Sequence, residues 1–91
     1  MSDAEALKKI IIGELKTEGR FYNIRSRGKS FWRHHCGQRM EKFEGTLGFT
    51  VISPGGWVEI FVCPKCGYAK IIETDAVGRF TREVNLSLPN I

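Results

Sequence analysis

The sequence of 91 residues predicts a small α+β domain, in which an N-terminal helix precedes about five or six short strands joined as antiparallel hairpins. In the first segment, apolar residues recur at helical spacing. From Arg20 onward, short runs rich in aromatic and β-branched residues alternate with turn sequences, which is typical of strands. No linker divides the chain, so residues 1–91 are predicted to form one domain, with its β region at about 20–85.

The predicted helix spans residues 3–18. Its apolar residues form one stripe at helical spacing: Leu7, Ile10, Ile11 and Leu15. Ser2 and Glu5 fit a capping box at the start of the helix. Gly19 follows the last periodic residue and suits a C-terminal cap, because glycine adopts the left-handed conformation without strain.

The strands are predicted from short segments bounded by turn signals. "RFYNI" and "KSFWRH" flank "RSRG", which is predicted to be a hairpin turn. "KFEGTLGFTVI" contains Gly45 and Gly48, which suggest bends or bulges, and "SPGG" predicts the next turn. "WVEIFV" and "YAKIIET" flank "CPKCG", and "GRFTREVNL" predicts one edge strand.

The cellular compartment is predicted from the N-terminus and the cysteine count. The chain starts with acidic, helix-forming residues rather than a basic stretch and an apolar block, and it contains no apolar run of membrane-spanning length. These features predict an intracellular, cytoplasmic protein without a membrane span. In a reducing compartment, three cysteines are more consistent with metal binding or redox chemistry than with a disulfide framework.

Two Cys-Gly turns indicate a metal site. Cys63 and Cys66 are three residues apart in a tight turn and are followed by Gly67, and Cys36 is followed by Gly37 upstream. Between about residues 29 and 74 this pattern resembles the zinc ribbon family, in which two rubredoxin-like knuckles clamp one tetrahedral zinc. The resemblance implies a zinc ribbon-like domain with one structural Zn²⁺, bound by the cysteines of both knuckles, that supplies folding free energy.

The first knuckle departs from the zinc ribbon pattern, because Arg33 stands where the leading cysteine would be. Since Zn²⁺ also accepts imidazole nitrogen, a histidine can complete the site. His34 is the preferred fourth ligand, because residues two apart in an extended stretch point the same way and His34 would face the metal with Cys36. His35 is the alternative, if the knuckle is tightly curled.

Other hypotheses about the cysteines stay open. The three thiols can be small buried apolar groups, or the remains of a site that no longer binds metal. "EIFVCPKCGYAKII" also resembles the glutaredoxin stretch in which a strand leads into Cys-Pro-x-Cys, which implies a thiol-disulfide redox protein that uses Cys63 and Cys66. The residues after Gly67 favour a strand over the helix that this family requires.

Residues 20–42 carry a concentrated positive charge. They contain seven basic residues and one acid, Glu41, and hence a net charge of +6 in a chain whose formal net charge is +4. The basic residues are Arg20, Arg25, Arg27, Lys29, Arg33, Arg39 and Lys42. Aromatic residues such as Phe31 and Trp32 lie among them, which is the composition of a surface that contacts phosphates and unpaired bases.

The predicted function is therefore nucleic-acid binding by a small structural-zinc protein, with transcription regulation as a possible role. The DNA and RNA alternatives stay open. A competing hypothesis is a zinc ribbon that docks onto a protein, or an adaptor that forms a homodimer through the helix, where Ile10, Ile11 and Ile12 give more apolar surface than one stripe needs. No catalytic constellation stands out, so the protein is not predicted to be an enzyme.

Overall fold

The computed structural model describes residues 4–48 and 55–87. A helix, α1 (Ala4–Lys16), precedes five strands in the chain. The strands are β1 (Tyr22–His35), β2 (Gln38–Leu47), β3 (Trp57–Val62), β4 (Tyr68–Thr74) and β5 (Phe80–Ser87). Each strand pairs with its neighbour in sequence, and together they form one antiparallel sheet in the order β1-β2-β3-β4-β5.

The predicted fold class, a small α+β domain built as a zinc ribbon, is wrong. The protein is β-rich, with a single five-stranded sheet and one short N-terminal helix packed on it. The error arises because β1 and β2 are 14 and 10 residues long and stay paired well beyond the Cys-Gly turns. The hairpins therefore merge into one sheet instead of forming separate knuckles around a metal.

No hairpin turn forms at "RSRG". These residues lie inside β1, where Ser26 pairs with Glu44 and Gly28 with Lys42. A register shift between Ile24 and Ser26 accommodates one extra residue as a bulge, so the strand bends and continues. The turn that joins β1 and β2 lies at Cys36 and Gly37 instead.

Gly45 marks a close approach of two strands and not a break in β2. A Cβ atom at this position would lie 2.0 Å from the backbone oxygen of Asn23 in β1, so only glycine fits here. The last residues of the predicted "KFEGTLGFTVI" strand, after Gly48, lie in residues 49–54, outside the described ranges. The start of the "SPGG" turn lies there as well.

The end of α1 confirms the cap predicted at Gly19. Gly19 has a φ of 83°, and its N–H donates to the Lys16 carbonyl at 3.0 Å. The Arg20 N–H donates to the Leu15 carbonyl at 2.9 Å, which completes a Schellman motif. At the other end, the capping box predicted for Ser2 and Glu5 includes a residue outside the described ranges.

The main core lies between α1 and one face of the sheet. Its helical members are Leu7, Ile11 and Leu15, which are three of the four residues of the predicted stripe. The fourth, Ile10, is only partly buried, and Ile12 packs against the cluster instead. Its strand members come from β1 to β4: Tyr22, Phe43, Leu47, Val58, Ile60, Val62, Ala69 and Ile71. A smaller cluster of Met40, Phe61 and Cys63 is separate from this core and includes partly buried Cys66 and Tyr68.

A buried carboxylate, that of Glu73, connects β4 with β1 in this core. Glu73 is 1% exposed, accepts a hydrogen bond from the Tyr22 hydroxyl and pairs with Arg20 at 3.1 Å. Burial, followed by the bond to Glu73, raises the pKa of Tyr22 well above its usual value. Tyr22 is thus held neutral in the fold, and its contribution to stability declines as pH rises above about 10, where tyrosine in the unfolded chain ionises.

Substitution of Glu73 is expected to destabilise the fold substantially. Glu73→Ala leaves the Tyr22 hydroxyl and the Arg20 guanidinium without their acceptor, and should lower the free energy of unfolding by about 3 kcal/mol. Glu83→Ala is the matched control, because Glu83 is exposed on β5 and pairs with Lys70 at 3.5 Å, and exposed ion pairs contribute little to stability. Urea unfolding measures both changes, and equal losses would contradict a structural role for Glu73.

Candidate metal centre and the basic surface beside it

Two turns at the same end of the sheet bring four potential metal ligands together. His35 and Cys36 come from the turn between β1 and β2, and Cys63 and Cys66 come from the turn between β3 and β4. One ligand atom from each side chain lies within 4.8 Å of all the others. The group could hold a metal ion.

The β1–β2 turn is tight because both of its residues adopt positive φ values. Cys36 has a φ of 54° and Gly37 a φ of 76°, between the paired residues His35 and Gln38. Two central residues with positive φ are the signature of the type I′ turn, whose twist matches that of the flanking strands. Cys36 adopts this strained backbone, which aims its thiol toward the neighbouring turn.

Two backbone hydrogen bonds of Cys63 close the β3–β4 turn. The Cys63 N–H donates to the Tyr68 carbonyl at 2.8 Å, and the Gly67 N–H donates to the Cys63 carbonyl at 2.9 Å. Gly67 has a φ of 80°, which its lack of a side chain permits without strain. The chain then continues directly into β4, so Cys63 does not lie at the start of a helix as in the glutaredoxin alternative.

His35 contacts two thiols through one ring nitrogen and an aromatic side chain through its ring face. Its Nδ1 atom lies 3.1 Å from the Cys66 Sγ and 3.4 Å from the Cys36 Sγ. Its ring stacks on Tyr68, with ring centroids 4.5 Å apart and an angle of 19° between the planes. The Cys63 Sγ lies 3.7 Å from the His35 carbonyl oxygen.

The structure brings His35, and not the preferred His34, to the cysteines. The preference for His34 assumed that the chain is extended through Cys36, but Cys36 lies in the turn with a φ of 54°. This turn reverses the alternation of side chains at that point, which is the tightly curled case in which His35 becomes the ligand candidate. His34 is exposed and lines the surface beside the group.

The thiols compete for negative charge. Burial raises the pKa of the Cys63 thiol, but hydrogen bonds from His35 and from the backbone N–H groups of Cys66 and Lys65 outweigh it and lower the pKa to about 6. At Cys36 the pKa of the thiol is raised to about 11, mainly by a hydrogen bond with Cys66 and next by burial. The fold therefore favours a thiolate at Cys63 and a protonated thiol at Cys36, and a bound cation would stabilise the deprotonated form of Cys36.

The predicted nucleic-acid ligands fall into two sets. Three are paired with carboxylates: Arg20 with Glu73, Arg27 with Glu5, and Lys42 with Glu44 and Glu59. Within residues 4–48 and 55–87, four make no ion pair: Arg25, Lys29, Arg33 and Arg39. Because Glu73 is buried, its partner Arg20 belongs to the core network of Glu73 and Tyr22.

Exposed aromatic side chains accompany the unpaired cations on β1. Trp32 is 84% exposed and Phe31 is 72% exposed, with their ring centroids 5.9 Å apart. The Arg39 guanidinium lies 5.8 Å from the centre of the Phe31 ring, and the Arg33 guanidinium lies 4.7 Å from the centre of the Phe61 ring. Cations and aromatic faces are thus interleaved on the surface beside the metal group.

Two residues of this surface were not predicted from the sequence. Tyr68 stacks on His35, and Lys70 lies beside it on the same face of β4. Both residues follow "CPKCG" and lie two positions apart on the next strand, so their side chains share one face of that strand. This alternation was the sequence signal that could have identified them.

Comparison with protein-family models, with curated proteins and with solved structures finds no match to this chain. Among the residues that the structure describes, no helix has the length and apolar character needed to cross a membrane. The geometry of the site alone therefore supports the proposal that follows.

Proposed function

We propose that the protein holds one structural zinc ion and uses the adjoining surface of β1 to bind nucleic acid. The ligands of this ion are His35, Cys36, Cys63 and Cys66. The nucleic-acid surface consists of the four unpaired cations and the two exposed aromatic residues, Phe31 and Trp32, and is named here the β1 surface. Transcription regulation is the proposed biological setting.

Zinc is the metal that suits this donor set. Three thiols and one imidazole form a common closed tetrahedral zinc site, with no open position for a substrate. Zn–S bonds of about 2.3 Å and Zn–N bonds of about 2.0 Å place sulfur and nitrogen about 3.5 Å apart in a tetrahedron. The distances of 3.1 and 3.4 Å from the His35 Nδ1 atom to two thiols are close to this value. The proposed likeness to zinc ribbons is limited to the two Cys-Gly turns.

Nucleic acid is the polyanion that best suits the β1 surface. The observation that carries this proposal is the combination, on β1 and the start of β2, of four cations that form no ion pair among the described residues and two exposed aromatic rings. Cations neutralise phosphates and release counterions, while aromatic faces stack on bases. A surface that only kept the protein dissolved would not require exposed rings between the charges.

Binding to short oligonucleotides is expected to depend strongly on salt. In fluorescence anisotropy, each phosphate contact removed from the β1 surface should reduce the slope of log K against log salt by about one. Arg33→Gln combined with Arg39→Gln should therefore weaken binding and flatten this slope by about two. The charge-matched control is Arg79→Gln, on the exposed β4–β5 loop, paired with Lys65→Gln on the β3–β4 turn.

The double variant and its control separate a specific surface from general attraction. If both bind with the same affinity and slope, net charge alone is responsible and the β1 surface is not the site. If the unmodified protein shows no salt-dependent binding to DNA or RNA, nucleic-acid binding is refuted.

A further inference from the structure

A concavity of about 470 Å³ lies on the sheet face opposite α1, directly beside the metal group. Its lining combines aromatic and cationic side chains from β1 and β4: Trp32, Arg33, His34, His35, Tyr68 and Lys70. Its volume is within the range of about 300–1,000 Å³ that is usual for sites that bind small molecules. It is open to solvent, so a group attached to a longer chain can enter it.

We propose that this concavity receives one unpaired base of a single-stranded nucleic acid, stacked on Trp32, with a neighbouring phosphate at Arg33. The inference rests on the proposed nucleic-acid function and specifies its substrate class. It assigns to the protein a preference for single strands over duplexes.

Trp32 is suited to stacking because its ring is exposed. At 84% exposure it belongs to neither apolar cluster, its contact with Phe31 is tilted and not stacked, and it lines the concavity. Trp32 also borders a second concavity of about 230 Å³, whose lining includes Lys29 and the ion pair of Lys42 and Glu44. A strand that crosses Trp32 can therefore meet Arg33 in one concavity and Lys29 in the other.

Arg33 is fixed in place before any ligand arrives. Its backbone N–H donates to the Ser30 Oγ at 3.0 Å, and Ser30 is only 3% exposed. Its guanidinium lies over the Phe61 ring, which limits its movement while leaving N–H groups available. Lys70 is less suited to a phosphate, because Glu83 pairs with it at 3.5 Å.

The metal group forms one wall of the same concavity. His35 stacks on Tyr68, and both side chains line the concavity, while the Tyr68 hydroxyl donates to Asn85 at 2.6 Å. A metal ion bound by His35 would therefore also fix this side of the concavity in position. Loaded with zinc, the protein is expected to bind single strands more tightly than the metal-free protein does.

A duplex does not present the feature that this concavity receives. In a double helix each base is stacked between its neighbours, and only its edges are accessible in the grooves. An unpaired base can turn its face toward an aromatic side chain, and such stacking is tolerant of sequence. Single-stranded DNA and RNA share this chemistry, and both are included in the test.

The test compares zinc-loaded Trp32→Ala with Phe80→Ala, which removes an aromatic ring of 63% exposure from β5. Anisotropy titrations use a labelled single-stranded DNA, the matching RNA, and the DNA duplex, with inorganic polyphosphate as an unlabelled competitor. Trp32→Ala should weaken single-strand binding about 5- to 140-fold, because stacking contributes about that factor per base. Its salt slope should stay unchanged, Trp32→Phe should restore part of the affinity, and Phe80→Ala should have no effect.

Several results would overturn the base site while leaving the proposed function intact. Equal binding by Trp32→Ala and Phe80→Ala is one, and equal affinity for the duplex and the single strand is another. Polyphosphate that competes as well as an unlabelled single strand would likewise show that no base is recognised. A complete lack of salt-dependent binding by the unmodified protein refutes the nucleic-acid function itself, so the two failures are distinguishable. Unchanged circular dichroism and zinc content verify that each variant is folded.

Discussion

Removal of zinc from the loaded protein is expected to lower its free energy of unfolding by about 4 kcal/mol, when the free zinc concentration is about 1,000 times the dissociation constant. The proposed zinc ion would bind the folded chain, in which four potential ligands from two turns meet, and not the unfolded chain, in which they are far apart. Small domains are stable by only about 5–15 kcal/mol, so this loss is a large share of the total.

The proposed zinc site also predicts which part of the protein loosens when the metal is removed. The main core between α1 and the sheet contains none of the proposed ligands, whereas Cys63 and Cys66 belong to the smaller cluster around Met40 and Phe61. Hydrogen exchange should therefore increase first at the two Cys-Gly turns and last at Leu7 and its neighbours in α1. A metal that stabilised the fold uniformly would protect both regions equally.

Urea unfolding with and without a chelator measures the loss, and elemental analysis measures the zinc content. Cys63→Ser should reproduce the chelated state without a chelator, because Cys63 is fully buried and its oxygen replacement is a poor zinc ligand. Lys65→Ala, in the same turn but exposed, should retain one equivalent of zinc and the same urea midpoint. Protein that contains far less than one equivalent and unfolds at the same midpoint with the chelator does not hold a structural zinc.

The helix and the cysteine group could be predicted from the sequence because both depend on local patterns. Three of the four stripe residues, Leu7, Ile11 and Leu15, and the cap at Gly19 follow from helical periodicity and from the conformational freedom of glycine alone. Cys63 and Cys66 indicate a shared ligand position because their spacing in a turn brings both thiols to the same side. Such features do not depend on which strands pair.

The fold class could not be predicted in the same way, because it depends on pairing between distant residues. Gly28 and Gly45 look like turn or bend residues in the sequence, but both lie within paired strands. At Gly45 the requirement comes from the backbone of Asn23, which is distant in sequence, so no local pattern reveals it. Once β1 is continuous from Tyr22 to His35, the zinc ribbon arrangement gives way to a single sheet.

The identity of the fourth ligand depends on one backbone angle. His34 and His35 are neighbours with the same chemistry, and the choice between them follows from whether the strand or the turn extends to Cys36. The positive φ of Cys36 places the turn there, and residues with a Cβ atom rarely adopt this conformation. Sequence periodicity assumes the commoner extended conformation and therefore favours His34.

Replacement of each histidine by alanine is expected to distinguish the two ligand candidates, because the two variants should differ by a large factor in zinc affinity. His35→Ala should weaken zinc binding by more than about 100-fold, because loss of an outer partner alone costs about 10- to 100-fold and His35 is proposed as a direct ligand. His34→Ala should leave the affinity unchanged, because its side chain is exposed and lies outside the cysteine group. Competition with a chelator of known affinity measures both.

A conservative replacement distinguishes ligation from a purely structural role of the His35 ring. His35→Cys removes the stacking contact with Tyr68 but supplies a fourth thiolate, and zinc binds four cysteines readily. Zinc affinity should therefore be largely recovered. X-ray absorption should change from three sulfurs at about 2.3 Å and one nitrogen at about 2.0 Å to four sulfurs. A nitrogen neighbour that persists in His35→Ala and disappears in His34→Ala would instead identify His34 as the ligand and require the β1–β2 turn to open.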